Sequence, residues 1–277
     1  MNYALYLDPC KKSVPPEIPA EALQTAPSIA YWRLIDCSDP QLTDFYPEHV
    51  PQADFTIAEI HPDQLEKLNY PVNRLSIVQT KSAFRDLAPL KEKLKDIQCD
   101  ITFNWDKRFA VDYYLKMLRF WLQCGVQHIS IYELSDFTKW QRIQSMLREY
   151  NFHFYDRYHA CLPGYESPYQ KHVANFGNLY AFNGWSRETI GDVTRVKGPT
   201  QKEWDILSHR DQIEEKLLFA LADRDGIELS VLAPHINEQG LEKTLRAGLA
   251  VIEEGRLKPT DTGLWDTINL LSHLQNN

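Results

Sequence analysis

The chain has 277 residues, 43 % of them hydrophobic, enough for one large domain or two smaller ones. Lys and Arg number 30 against 38 Asp and Glu, a formal net charge of −8, and no long basic run offsets it, which excludes non-specific binding to nucleic acid or to anionic membranes as the main activity. No apolar run reaches the length of a membrane span, and Met1-Asn2-Tyr3-Ala4-Leu5-Tyr6 lacks the basic and apolar regions of a signal peptide, so a cytoplasmic protein is expected. The cysteines Cys10, Cys37, Cys99, Cys124 and Cys161 are scattered and form no C-x-x-C pair. They fit reduced thiols rather than a disulfide framework.

Residues 4–7 read as a first strand, ended by Asp8-Pro9, and residues 29–35 as a second. Residues 54–62 give a third, with Glu59 and His61 near its end. Residues 73–80 form a short apolar run bounded by Tyr70-Pro71 and a charged segment, a buried fourth strand. A charged amphipathic helix is predicted over 85–95, with Leu87, Leu90 and Leu94 on one face. Residues 99–106 give a fifth strand. Residues 110–124 give a helix, with Val111, Tyr114, Leu115, Leu118 and Leu122 at helical spacing and Gly125 as the residue that ends it. Residues 126–134 are the sixth strand, and Trp140, Ile143, Met146, Leu147 and Tyr150 mark another helix.

Strands alternating with helices predict parallel βαβ units, whose binding sites lie at the carboxyl ends of the strands. Cys10, Glu59, Gln79 and Asp100 are expected at or near that edge. Farther on, Thr200-Gln201-Lys202-Glu203 reads as a capping box. Ile213, Leu217, Leu218 and Leu221 mark a helix, and Ser230 caps a short second one. Leu241, Leu245, Leu249 and Ile252 mark a third helix ending at Gly255, and a last helix runs through Leu274.

Four stretches carry more than periodicity. They are Asn73-Arg74-Leu75-Ser76-Ile77-Val78-Gln79, His128-Ile129-Ser130-Ile131-Tyr132-Glu133-Leu134, Pro163-Gly164-Tyr165-Glu166-Ser167, and Leu257-Lys258-Pro259-Thr260-Asp261-Thr262-Gly263-Leu264. In this order they resemble N-R-L-S-I-G-V-Q, H-I-S-L-Y-x-L, P-G-Y-E-S and L-x-L-T-x-x-G of the oxygen-independent coproporphyrinogen III oxidase and HemW family, radical-SAM proteins of haem metabolism. The resemblance implies an α/β fold, an open six-stranded partial (β/α) barrel with a mostly helical C-terminal domain. The barrel would span 1–160, a family-specific connecting segment 161–198, and the C-terminal domain 199–277. That domain's order is also similar to a winged helix, but residues 206–277 hold seven Lys and Arg against twelve Asp and Glu, which speaks against a phosphate-binding face.

The resemblance also places residues. Cys10 falls on the first of three cluster cysteines, Glu59 on a glutamate of the cofactor-binding region, Gln79 on the family glutamine and Asp100 on the motif aspartate. The chemistry departs from the pattern at several points. Val14 and Glu17 occupy the second and third cysteine positions, and one thiolate cannot hold a [4Fe–4S] cluster. Residues 35–42 lack the family's glycine run, Asn104-Trp105-Asp106 replaces its Gly-Leu-Pro turn, and Tyr169 stands on its histidine. Neither the cluster nor S-adenosylmethionine is expected, and no catalytic residue and no metal-ligand spacing is assigned. Cys10 then reads as a packing thiol, and Glu59 as either a relic of the site or a solvated strand-end carboxylate.

The segment from His153 to His172 is rich in His, Cys and Tyr. His159, Cys161 and His172 are candidate axial haem ligands, with ordinary packing as the alternative reading. The expected function is that of a catalytically degenerate relative which binds haem, a porphyrin or a haem-handling protein. An active coproporphyrinogen-oxidase-like oxidoreductase and a protein-interaction scaffold are the alternatives.

Overall fold

The computed structural model describes residues 3–7, 27–33, 53–61, 72–79, 97–182, 185–198, 201 and 203–275. Cys10, Cys37, the helix expected over 85–95 and part of the 200–203 capping stretch lie outside the described residues. All six expected strands form: β1 (Tyr3–Leu7), β2 (Ile29–Arg33), β3 (Phe55–Ile60), β4 (Arg74–Gln79), β5 (Gln98–Asn104) and β6 (His128–Tyr132). They lie side by side in chain order, every neighbour parallel.

The sheet does not stop at six strands. Beyond β6 it continues antiparallel through β7 (His153–Phe154) and β8 (His159–Cys161), with β8 inside and β7 at the edge. On the other side β9 (Asn178–Phe182) runs parallel to β1. The meander β10 (Ser186–Ile190), β11 (Val193–Lys197) and β12 (Asp205–Ile206) follows, for twelve strands in one sheet. An open parallel sheet would leave the backbone groups of β1 and β6 unpaired, and the segment after the sixth strand supplies partners for both edges.

Two helices cover one face. α1 (Val111–Gln123) buries Val111, Tyr114, Leu115, Leu118 and Trp121, and Gly125 at φ 87° ends it as expected. α2 (Phe137–Glu149) is capped by Asp136, whose carboxylate accepts from the Lys139 amide at 3.0 Å. Leu75, Ile77, Ile101, Phe103, Ile129 and Ile131 alternate along β4–β6 toward these helices and join Trp121 and Trp140 in the main core. α3 (Pro168–Ala174) lies on the other side, where its Tyr169 packs on Tyr31.

The remainder holds α4 (His209–Ala222), α5 (Leu229–Leu232), α6 (Glu238–Arg246), α7 (Asp261–Trp265) and α8 (Thr267–Leu274). Beside these helices stands an antiparallel sheet of β13 (Ile227–Glu228), β15 (Arg256–Pro259) and β14 (Ala250–Glu253), in that order across it. Leu217, Leu221, Leu232, Leu257, Leu270 and Leu274 form its core. Two expectations do not hold in this region. The third helix stops at Arg246, because Gly248 turns the chain at φ +68° and residues 250–253 pair as a strand. Ser230 lies inside α5, whose N-cap is Glu228 without a side-chain bond. The capping box formed is Ser208 with Asp211 at the start of α4.

Replacing Ser208 by alanine should cost about 1 kcal/mol, because it leaves the Asp211 amide without its acceptor. Urea unfolding measures this, and an unchanged midpoint would refute it.

α7 packs on its own neighbours through Gly263 and reaches the main core as well. Leu264 is fully buried there, and the Trp265 ring lies 5.6 Å from Phe137 and 5.8 Å from Trp140. Its Asp261 carboxylate binds Arg148 of α2 at 3.0 Å and Arg224 at 2.7 Å. Among the described residues no helix is long and apolar enough to cross a membrane.

Candidate functional site

A parallel sheet covered on both sides normally presents apolar residues on both faces. Here the face opposite α1 and α2 is polar along β4–β6, while Ala4, Ile29 and Ile57 keep it apolar on β1–β3. The strand registers bring Arg74, Ser76, Asp100, Thr102, His128 and Ser130 onto it, and Glu59, Tyr132 and His159 with them. All but Tyr132 are buried. Buried polar residues in such number are the informative departure from a packing core.

Toward the amino ends of the strands lies an ion network. The Arg74 guanidinium is fully buried and stands 3.3 Å from Asp100. It donates to the carbonyls of Tyr165 at 2.5 Å and Glu166 at 3.2 Å. Asp100 also stands 3.4 Å from His128 Nδ1, and the His128 Nε2 lies 2.8 Å from the Tyr155 hydroxyl. Burial raises the Asp100 carboxyl to about 6, with Arg74 opposing the shift. Burial holds the His128 imidazole well below its ordinary value, with the charges of His159 and Arg74 adding to the effect. This network pins residues 165–166 over the sheet.

Toward the carboxyl ends the face is aromatic. The Tyr6 and Tyr31 rings stack at 5.6 Å, and Tyr169 of α3 lies 4.8 Å from Tyr31 and 6.1 Å from Tyr6. Burial first, then the Glu59 charge, pushes the Tyr31 and Tyr132 phenols up, and Tyr169 rises through burial and its neighbours Tyr6, Tyr132 and Glu59. The Tyr132 hydroxyl lies 2.9 Å from His159 Nε2, and His159 Nδ1 lies 2.6 Å from Asp156. The Asp156 carboxylate is fixed by the amides of Tyr158 and His159, both at 2.7 Å. With the His159 proton on Nδ1, directed at Asp156, Nε2 accepts from Tyr132 and the three groups make a hydrogen-bonded chain. A cavity of about 350 Å³ opens against Tyr155 and His159, walled by Lys171, Leu218, Phe219 and Ile268.

The residues singled out by sequence fall into different places. Glu59 sits among the tyrosines, and Asp100 sits in the amino-end network rather than at the carboxyl edge. Gln79 ends β4 on the helix side, where its carbonyl accepts from the Trp121 indole at 2.7 Å. His159 has both ring nitrogens engaged. Cys161 is fully buried, with His153 Nε2 at 3.8 Å, and burial pushes its thiol up to about 12. His172 faces the Asn178 carbonyl at 2.9 Å and packs so closely on Gly177 that a Cβ there would meet its ring at 2.1 Å. These three histidine and cysteine side chains thus each have a different partner. Tyr6, Tyr31, Tyr132 and Asp156 were missed, while Tyr169 was named only as standing on the family histidine and in a ligand-rich segment. The parity of Tyr6, Tyr31, Glu59 and Tyr132 along their strands was the available signal.

No family model and no curated protein sequence matches the chain. Among solved structures it is similar to coproporphyrinogen III oxidase from Escherichia coli, described as a radical SAM enzyme, with a TM-score of 0.64 and 12 % identity over 99 % of this chain and 90 % of that one. The chain therefore has the mixed α/β fold of that protein, its large parallel sheet included.

Proposed function

We propose that the protein is a coproporphyrinogen-oxidase-like protein of haem metabolism that has lost the radical chemistry and binds haem or a related porphyrin. The observation that carries this reading is the tyrosine-walled polar face at the carboxyl ends of the parallel strands, the side on which such sheets take ligands. Flat aromatic walls suit a planar conjugated ring, and a phenol or imidazole can serve its iron. The loss of radical chemistry is supported by the single cysteine at position 10 and by the commitments of Gln79 to Trp121 and Asp100 to Arg74. A partial barrel with a helical C-terminal domain is the architecture this reading carries.

Haem titration followed in the visible spectrum tests it. A saturable one-to-one shift is expected, weakened about tenfold by Tyr169→Leu, which is roughly 1.4 kcal/mol. A featureless, unsaturable titration overturns it. Finding about four irons per chain in anaerobically prepared protein would overturn the loss of radical chemistry.

The scaffold reading has one observation in its favour. Ile190, Val193 and Ile206 stand 58 %, 49 % and 73 % exposed on β10–β12 at one end of the large sheet.

A further inference from the structure

We propose that His153, Cys161 and Glu166 form a binding site for a zinc-like divalent cation. The site lies toward the amino-end part of the same sheet face, apart from the tyrosine wall at its carboxyl end, and does not depend on the haem reading.

The strand register assembles the first two donors. β7 and β8 pair antiparallel with His153 directly opposite Cys161, so both side chains leave the same face of the sheet. The chain then turns through Leu162-Pro163-Gly164, where Gly164 adopts φ +81° and the Tyr165 amide donates to the Leu162 carbonyl at 3.0 Å. That turn brings Glu166 back over the pair. Arg74 holds the backbone of residues 165–166 from beneath, so the third donor also rests on a fixed support.

Two of the three donor distances match a coordination shell. His153 Nε2 lies 3.3 Å from the Glu166 carboxylate and 3.8 Å from the Cys161 sulfur, and all three donor atoms lie within 4.8 Å of one another. In a tetrahedral zinc site, bonds of about 2.0–2.3 Å place neighbouring donors about 3.3–3.8 Å apart. A cation can therefore be seated by small side-chain adjustments without moving either strand.

The donor set sets the class of ion. Thiolate, imidazole and carboxylate together suit a borderline-soft dication and not calcium or magnesium, which take oxygen. Three protein donors leave a fourth position for water. It can face solvent, because the His153 and Glu166 side chains are 41 % and 31 % exposed while Cys161 is buried beneath them. The nearby cations do not oppose the charge, since Arg74 is paired with Asp100 and Lys171 with Asp223 and Asp225. Sequence spacing could not reveal the set. The eight-residue and five-residue separations fit no ligand motif, and only the antiparallel register and the turn bring the donors together.

The plain alternative is a half-exposed His–Glu ion pair beside a thiol, worth little and needing no metal. Cobalt(II) titration of the full, chelator-stripped chain separates the two. The expected result is one equivalent bound, with a thiolate-to-cobalt charge-transfer band and the visible bands of four-coordinate cobalt, all displaced by stoichiometric zinc. Cys161→Ser should abolish the charge-transfer band, and Glu166→Gln should keep it while weakening binding at least about tenfold, the scale on which altered metal shells act. Cys124→Ser, at a half-buried thiol outside the site, should change nothing. Should Cys161→Ser fail to fold, His153→Gln at a half-exposed ring decides the same question. Absence of the band at stoichiometric cobalt, or a band that survives both Cys161→Ser and His153→Gln, overturns the site.

Discussion

Replacing Arg74 by methionine should destabilise the protein by about 3–5 kcal/mol near pH 7.5, the scale found when one partner of a buried ion pair is removed. The side chain has no exposure and serves three groups at once: Asp100 at 3.3 Å and the carbonyls of Tyr165 and Glu166. Its loss leaves a carboxylate buried without its cation and two carbonyls without their donor. The pH dependence identifies the cause. With Arg74 present, burial already raises the Asp100 carboxyl to about 6. Without Arg74 the folded state binds that proton more tightly still, while the unfolded value is unchanged. A group that binds its proton more tightly when folded stabilises the fold as pH falls, so the loss should shrink between about pH 7.5 and about pH 5. Urea unfolding at the two values measures it. A loss below about 1 kcal/mol would show that Arg74 does not hold residues 165–166 in place, and one independent of pH would show that Asp100 is not its charged partner.

Trp121→Ala should cost about 3–5 kcal/mol through the cavity left between α1 and the sheet. The indole is fully buried and also donates to Gln79. Trp121→Phe keeps most of the volume and should cost about 1–2 kcal/mol, mainly for the hydrogen bond. A cycle with Gln79→Leu gives the pair's own coupling, expected at about 1 kcal/mol. The cycle also settles what Gln79 does. A glutamine reserved for a cofactor would alter ligand binding and leave stability unchanged, so zero coupling together with weakened haem binding would return Gln79 to a binding role.

The six central strands and α1 were legible because periodicity and end signals agreed, as at Gly125 after the apolar spacing from Val111 to Leu122, of which Leu122 is only half-buried while Trp121 takes the buried place. The outer strands β7–β12 were not legible. β7, β8 and β12 span only two or three residues, and β9 pairs with β1, far back along the chain. Residues 250–253 were read as helix because Leu241, Leu245, Leu249 and Ile252 keep helical spacing. The turn at Gly248 and the pairing with β15 prevailed over that pattern. For the site, the family resemblance located Glu59 and Asp100 and residue type located His159 and Cys161, but strand parity decided what each one meets. Gln79 sits one position from Val78, and that single step moves it from the polar face to the helix side.

The placement of α7 bears on the order in which the protein can fold. Leu264 and Trp265 complete the core that α2 begins, and Asp261 reaches Arg148 across 113 residues of chain. These late residues complete the core only after a long loop closes, so loop closure over this span should slow folding. Native-state hydrogen exchange should then show the amides of α2 and α7 opening together, as one cooperative unit, despite their distance in sequence.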